Sequence, residues 1–131
     1  MKRTMQVGNT ATISFIVEEH MQPEFEGKII HPVCSTWDLA HQFELASRHA
    51  LLPHLEDGEE GIGSKVSIDH CSPATLGSEV EVTARVTKTG DTEVVCSIEA
   101  RVGSRIIATG EQIQRVFSKE KINQIIANAN N

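Results

Sequence analysis

Residues 34–55 read CSTWDLAHQFELASRHALLPHL and predict one amphipathic helix over Trp37–Leu52. Its apolar stripe recurs at spacings of 4, 3 and 4, which fall on one helical face, and consists of Leu39, Phe43, Ala46 and Ala50. Ser35 or Thr36 can cap the start, because a short hydroxyl accepts from the free amides of a first turn. Pro53 ends the helix, since proline biases the preceding residue away from helical geometry. This helix is therefore the element available to cover a sheet.

Five segments of alternating apolar and polar residues predict strands around this helix. They are Thr10–Val17, Gly63–His70, Glu79–Lys88, Glu93–Val102 and Arg105–Phe117. The turns at 89–91 and 103–104 are so short that the strands they join must be antiparallel neighbours. These two turns join the last three strands, and the strand at 63–70 precedes them across a break at 71–77, which predicts four successive antiparallel strands.

The remaining segments are predicted as loops, apart from a second helix at the end. The polar segment 18–28 contains proline and glycine, and it has room for a turn of helix. The acidic, glycine-punctuated segment 56–61 is predicted as a loop. Ser118 caps a short helix over 119–127, which is expected to turn three isoleucines inward: Ile122, Ile125 and Ile126.

The order of one strand, one long helix and four antiparallel strands predicts an α+β fold. In this fold the helix lies across a curved five-stranded antiparallel sheet. A chain of 131 residues fits a single domain, residues 1–131. One helix cannot cover both edges of five strands, and an open edge invites pairing with another chain. We therefore expect a homodimer.

Composition excludes several classes of protein and partner. The net charge of −6, without a basic stripe, argues against nucleic acid. No run approaches the roughly 18 apolar residues that span a bilayer, so no membrane association is expected. The basic N-terminus lacks the apolar segment of a signal peptide. Cys34, Cys71 and Cys96 show no C-x-x-C spacing, which favours reduced thiols in a cytoplasmic protein.

Two titratable residues are candidates for chemistry. Glu44 lies mid-helix beside the apolar stripe, where it is either a solvated flank residue or a partly buried carboxylate usable as a base or nucleophile. His70 ends a strand on the face of Val66 and Ile68. It is either a strand-end residue of the core or a general acid/base, because histidine titrates near neutrality.

Thr36 and Gly63 are further candidates, whereas a metal site is not expected. Thr36 has the simpler role of a helix cap, and Gly63 can be a turn or let a backbone amide approach a substrate oxygen closely. His31, Cys34 and His41 have no second ligand pair at zinc-like spacing. The sequence also lacks G-x-S-x-G, P-loop and G-x-G-x-x-G motifs.

Taken in order, three sequence motifs resemble the hotdog-fold thioesterases, in particular the fluoroacetyl-CoA thioesterase group. They are the M-x-V-G lead at 5–8, the A-x-x-P-x-L helix end at 50–55, and the glycine seven residues before a histidine at 63–70. The resemblance covers nearly the whole chain. It implies a hotdog fold, a homodimer with the acyl site at the subunit interface, and hydrolysis of an acyl-CoA without a metal or redox cofactor.

The resemblance also implies roles for four residues. That family uses a threonine eight residues before a glutamate on the helix, and a histidine at the end of the next strand; Thr36, Glu44 and His70 have this arrangement. By this resemblance Glu44 is the base or nucleophile, Thr36 orients it, and His70 is an acid/base. Gly63 matches a glycine whose amide faces the thioester carbonyl.

The chain departs from that family in its last strand and before the helix. The family's G-x-H-x-R is replaced by a sequence with Gln112 and Gln114 at the histidine and arginine places, and no phenylalanine-rich lid precedes the helix. A general short or medium acyl thioester is therefore expected rather than fluoroacetyl-CoA. A non-catalytic module that binds acyl thioesters is the alternative, and a hotdog dehydratase is disfavoured because His70 has no aspartate partner in the usual arrangement.

Overall fold

Five long antiparallel strands form one sheet in the computed structural model, which describes residues 1–130. The strands and helices are β1 (Thr10–Ile16), β2 (Glu24–Phe25), β3 (Lys28–Ile29), α1 (Thr36–Leu51), β4 (Glu59–His70), β5 (Glu79–Thr89), β6 (Glu93–Val102), β7 (Arg105–Ser118) and α2 (Lys119–Asn128). The order across the sheet is β1-β5-β6-β7-β4, so β1 and β4 are the edge strands. The predicted α+β hotdog arrangement is confirmed.

The inner face of the sheet is built from the alternation that the sequence predicts. In β5 every second side chain is fully buried, and these are Val80, Val82, Ala84 and Val86. The register pairs Val82 with Ile13 of β1 and with Ala100 of β6, so apolar side chains meet across three strands. Burial of such side chains is the main favourable contribution to folding.

Helix α1 packs across this face against β1, β4 and β5. Leu39 and Phe43 from its predicted apolar stripe are fully buried. Ser35 caps the start, because its hydroxyl accepts from the backbone N–H of Asp38 at 3.2 Å. The helix ends one residue before the predicted position, and Pro53 lies in the 3₁₀ turn that follows. The predicted helix is therefore confirmed within one residue at each end.

Two segments predicted as loops contain strands. β4 begins at Glu59 rather than at Gly63, because residues 59–61 pair with the end of β7. Glycine and acidic residues hid this extension, although both can occupy an edge strand. In the segment 18–28 the short β2–β3 hairpin turns at Glu26 and Gly27, both with positive φ. A 3₁₀ turn precedes this hairpin, at Glu19–Met21.

Helix α2 begins at the predicted cap, where the Ser118 hydroxyl accepts from the backbone N–H of Lys121 at 3.0 Å. The prediction that its isoleucines all face inward is wrong. Ile122 is half-buried, whereas Ile125 and Ile126 are 42% and 58% exposed, because α2 packs only lightly on the sheet, mainly against β4 and β7. Neither helix described over residues 1–130 has the length and apolar character needed to cross a membrane.

Candidate functional site

Thr36 and His70 meet where the start of α1 lies against the end of β4. The Thr36 hydroxyl and His70 Nδ1 are 2.9 Å apart, and either atom can be the donor according to the histidine tautomer. Thr36 is exposed and His70 is half-buried. His70 Nε2 is buried and has no hydrogen-bond partner. With Nδ1 held by Thr36, Nε2 is the ring nitrogen left free to exchange a proton.

Glu44 lies two turns further along α1, and its side chain reaches β4 at Gly63. One carboxylate oxygen is 2.7 Å from the point that a Cβ on Gly63 would occupy. Gly63 therefore leaves room for the Glu44 carboxylate against the strand backbone, and any larger residue would push that flexible side chain away. Glu44 is an exposed residue, as the solvated-flank interpretation requires, but its carboxylate is directed to the strand that carries His70.

Thr36 makes no hydrogen bond to Glu44 in the described chain. Eight residues of helix separate them, a rise of about 12 Å along the axis. The hydroxyl of Thr36 is instead engaged with His70. The chain therefore holds two separate groups of residues, here called half-sites: Thr36 with His70 at one end of the α1–β4 contact, and Glu44 with Gly63 at the other.

A β-bulge in β4 makes both half-sites face the helix. Gly63 pairs with Gln114, whereas Lys65 pairs with Ile113, so Ser64 is an extra residue without a partner. In a regular strand, residues seven apart point to opposite faces, and Gly63 and His70 would be separated by the sheet. The bulge restores them to one face. The sequence pattern did not predict it, because Ser64 carries no signal of its own.

Gln112 and Gln114 are buried amides on β7; Gln112 lies beneath Glu44, whereas Gln114 lies further along, beside Gly61. They are 2% and 4% exposed and both face α1. Gln114 Nε2 donates to the backbone carbonyl of Ser47 on the helix at 3.0 Å. Gln112 Nε2 is 3.4 Å from the Cβ position of Gly63, and its Oε1 is buried without a partner. In the sequence both residues stand out only as departures from a family motif, and that signal did not predict the place of Gln112 beside Glu44.

An apolar cavity of about 370 Å³ opens beside the Thr36–His70 pair. Val33, Phe25 and Trp37 contribute to its lining. The rings of Phe25, from the β2–β3 hairpin, and Trp37, from the first turn of α1, meet edge to face with centroids 5.4 Å apart. The cavity has the apolar lining and the few polar groups typical of a small-molecule site.

Cys34 lies beside this cavity, but it is not a nucleophile. Burial, with a smaller effect from the Asp38 carboxylate, raises the pKa of its thiol to about 12. The reactive thiolate is therefore absent near neutrality.

Cys34, His31 and His41 are the residues for which the sequence raises, and does not favour, a metal site. Over residues 1–130, His, Cys, Asp and Glu side chains nowhere gather in a group of three that could hold a metal ion.

The chain is similar to known thioesterases over most of its length. A model of the family described as fluoroacetyl-CoA-specific thioesterase matches residues 17–120. The fluoroacetyl-CoA thioesterase of Streptantibioticus cattleyicolor is 29% identical over 129 residues, covering 94% of this chain and 93% of that protein.

Solved structures give the same result. A Thermus thermophilus protein, described as a thioesterase superfamily member, superposes with a TM-score of 0.92 at 34% identity, covering 97% of this chain and 94% of that one. A mutant of the fluoroacetyl-CoA-specific thioesterase FlK in complex with fluoroacetate and CoA gives a TM-score of 0.80 at 27% identity, covering 89% and 98%. The similarity thus extends over both half-sites.

Proposed function

Because the chain belongs to the fluoroacetyl-CoA thioesterase family and is an enzyme of the thioesterase class, we propose that it hydrolyses acyl-CoA thioesters to a free acid and coenzyme A. The observation that carries the proposal is the Thr36–His70 hydrogen bond beside an apolar cavity, with the Glu44 carboxylate of α1 lying against β4, the strand that bears His70. Acid/base groups beside an apolar pocket match a substrate with an acyl chain and a polar reacting carbonyl.

A homodimer is part of the proposal, because it brings the two half-sites together. β4 is twelve residues long and pairs only with β7, while residues 62–67 are exposed. An open edge of this length is suited to pairing with a second copy. Antiparallel pairing of two β4 strands about Ser67 would bring Gly63 and Glu44 of one protomer beside His70 of the partner subunit. The bulge at Ser64 keeps these side chains on the helix side of such a sheet.

The proposed reaction divides its roles between these half-sites. The Glu44 carboxylate takes a proton from water, whose oxygen bonds to the thioester carbon, or it attacks that carbon itself to give an anhydride that water then cleaves. The amides at the start of α1 and at Gly63 stabilise the developing oxyanion. As the carbon–sulfur bond breaks, His70 donates a proton to the sulfur of coenzyme A, and Thr36 orients its ring. This route uses side chains and water, without a metal or redox cofactor.

The acyl group in this proposal is short or medium in length. The cavity of about 370 Å³ accommodates a small chain, and the Phe25–Trp37 pair forms part of its wall. We place the reaction in the cytoplasm, consistent with three free cysteines. Trp37→Ala should raise the ratio of kcat/KM for octanoyl-CoA over acetyl-CoA about tenfold, since each methylene accommodated contributes to selectivity. Ile126→Ala, on the exposed face of α2, is the control and should leave the ratio unchanged.

The decisive experiment measures thiol release from a panel of acyl-CoAs, with an acyl-carrier-protein thioester beside them. We expect turnover of at least one short or medium acyl-CoA. Binding of these compounds without release of thiol from any of them would instead identify a binding module, the alternative favoured by the glutamines at 112 and 114.

Mixed dimers test the shared site directly. Glu44→Gln and His70→Asn homodimers should each be nearly inactive. Unfolding and refolding them together should restore activity in the mixed dimer, which retains one intact pair of half-sites. Activity that stays at the level of the separate variants would contradict a site shared between subunits.

A further inference from the structure

Gln112 and Gln114 are a matched pair with different hydrogen bonding. They lie two residues apart on β7, face the same helix and are almost equally buried. Gln114 is tied to the backbone of Ser47, so its amide joins the helix to the sheet. Gln112 has no such partner: its Oε1 is enclosed and unbonded. A buried amide with an unfilled hydrogen bond costs stability, and a leucine of similar size would avoid that cost.

The position of Gln112 indicates which function the buried amide serves despite its unfilled hydrogen bond. Its Nε2 is 3.4 Å from the Cβ point of Gly63, and a Glu44 carboxylate oxygen is 2.7 Å from the same point. The amide nitrogen and the carboxylate are thus within about 6 Å of each other, across a residue without a side chain. An N–H donor below and a carboxylate acceptor above are complementary, and catalytic hydrogen bonds are often long until substrate is bound.

We propose that Gln112 is a positioning residue for Glu44. In the substrate-loaded site its Nε2–H donates to the Glu44 carboxylate and holds it at the thioester carbon. An exposed glutamate on a helix flank has several rotamers, and this bond selects the productive one. The inference rests on the proposed hydrolysis, because it assigns a partner to the residue that starts it.

Three variants test the assignment: Gln112→Leu, Gln114→Leu and Gln112→His. Gln112→Leu should lower kcat about 10- to 100-fold and leave KM within twofold, because substrate binding is retained while the carboxylate is misaligned. Its Tm should be equal to or higher than that of the parent, since the unbonded amide is gone. Gln114→Leu should do the opposite, lowering Tm while kcat stays near the parent value. Gln112→His keeps an N–H donor and should retain more kcat than Gln112→Leu.

Each contrary outcome is distinct. An unchanged kcat in Gln112→Leu would overturn the inference while leaving the hydrolysis intact. A fall in Tm matching that of Gln114→Leu would make Gln112 a structural amide and would equally overturn it. A parent that releases no thiol from any acyl-CoA would refute the proposed function, and the role of Gln112 would be refuted with it.

Discussion

Strands β4 and β5 have similar lengths but different surroundings. β5 pairs on both sides and buries every second side chain completely. β4 pairs on one side, carries a bulge and exposes most of its residues, yet it bears Gly63 and His70 and lies under Glu44. The comparison indicates that the strand that holds the fold together and the strand that holds the site are separate. The strand that holds the site is also an open edge of the sheet.

The largest expected effect comes from the same substitution placed in both strands. Val82→Asp puts a charge in the fully buried centre of β5, which should cost more than about 4 kcal/mol and leave little folded protein. Val66→Asp lies at the open edge of β4 and should fold, losing about 1 kcal/mol, but sediment as an inactive monomer. Circular dichroism and sedimentation of the two variants make the measurement. Equal loss of folded protein in both would remove the distinction between the strands.

The next effect concerns catalysis alone. Glu44→Gln is nearly isosteric and should lower turnover at least about a hundredfold, the scale for losing a positioned base or nucleophile. Tm should change little, because the side chain is exposed and has no structural partner in the fold described above. Parallel turnover and melting measurements check this. Unchanged turnover would return Glu44 to the role of a solvated helix flank.

His70→Asn sharpens the role of the other half-site. Asparagine keeps a polar side chain that can face Thr36, but it cannot exchange a proton near neutrality. We expect one limb of the kcat/KM profile against pH to move or vanish, while KM stays close to that of the parent. Because interacting groups titrate as a pair, the limb is identified by comparing the two profiles. A profile and rate identical to the parent would leave His70 as a strand-end residue only.

The smallest effect lies where β4 is anchored to the helix. Arg48 donates two hydrogen bonds to the Glu60 carboxylate, at 2.9 and 3.1 Å. These bonds, together with one from the backbone N–H of Gly61, lower the pKa of Glu60. A carboxyl group whose pKa is lowered in the folded protein stabilises the fold at pH values above its ordinary pKa. This stabilisation is lost as the pH falls through the lowered pKa. The side chains of Arg48 and Glu60 are 40% and 33% exposed, so solvent screens the pair and Arg48→Met should cost less than about 1 kcal/mol.

Urea unfolding of the parent and Arg48→Met at several pH values tests this prediction. The difference in free energy of unfolding should be present at neutral pH and shrink in acid. Lys121→Met, in the first turn of α2, removes a positive charge that is not among the causes of the lowered Glu60 pKa and serves as the control. A difference that grows in acid would contradict the assigned sign.

The sequence predicts the parts of this molecule that depend on local periodicity. The boundaries of α1, β5 and β6 follow from spacing and turn residues, because one face of each is uniformly apolar. The start of β4 and the β2–β3 hairpin are missed, because pairing with a distant strand or a two-residue turn decides them. Local propensity is a weak guide at such places.

The site is predictable to a lesser extent. The sequence pattern marks Thr36, Glu44, Gly63 and His70 as candidates and the family resemblance assigns their roles, while the structure adds which of them touch. The bond from Thr36 to His70 joins residues that are 34 apart in sequence, and no spacing rule gives it. Gln112 was missed because its place depends on which residue of β4 faces it across the sheet, and the bulge sets that register.

The extra residue in β4 also determines how this chain can vary in length. Inserting or deleting a single residue between Gly63 and His70 would turn one of them to the outer face of the sheet. The two residues would then no longer share one face of the strand. A second insertion or deletion would return Gly63 and His70 to the same face. Length variation in this segment is therefore tolerable only in even steps, whereas the turn at Gly90 and Asp91 carries no such condition. The number of residues between Gly63 and His70 is thus itself a defining feature of the site.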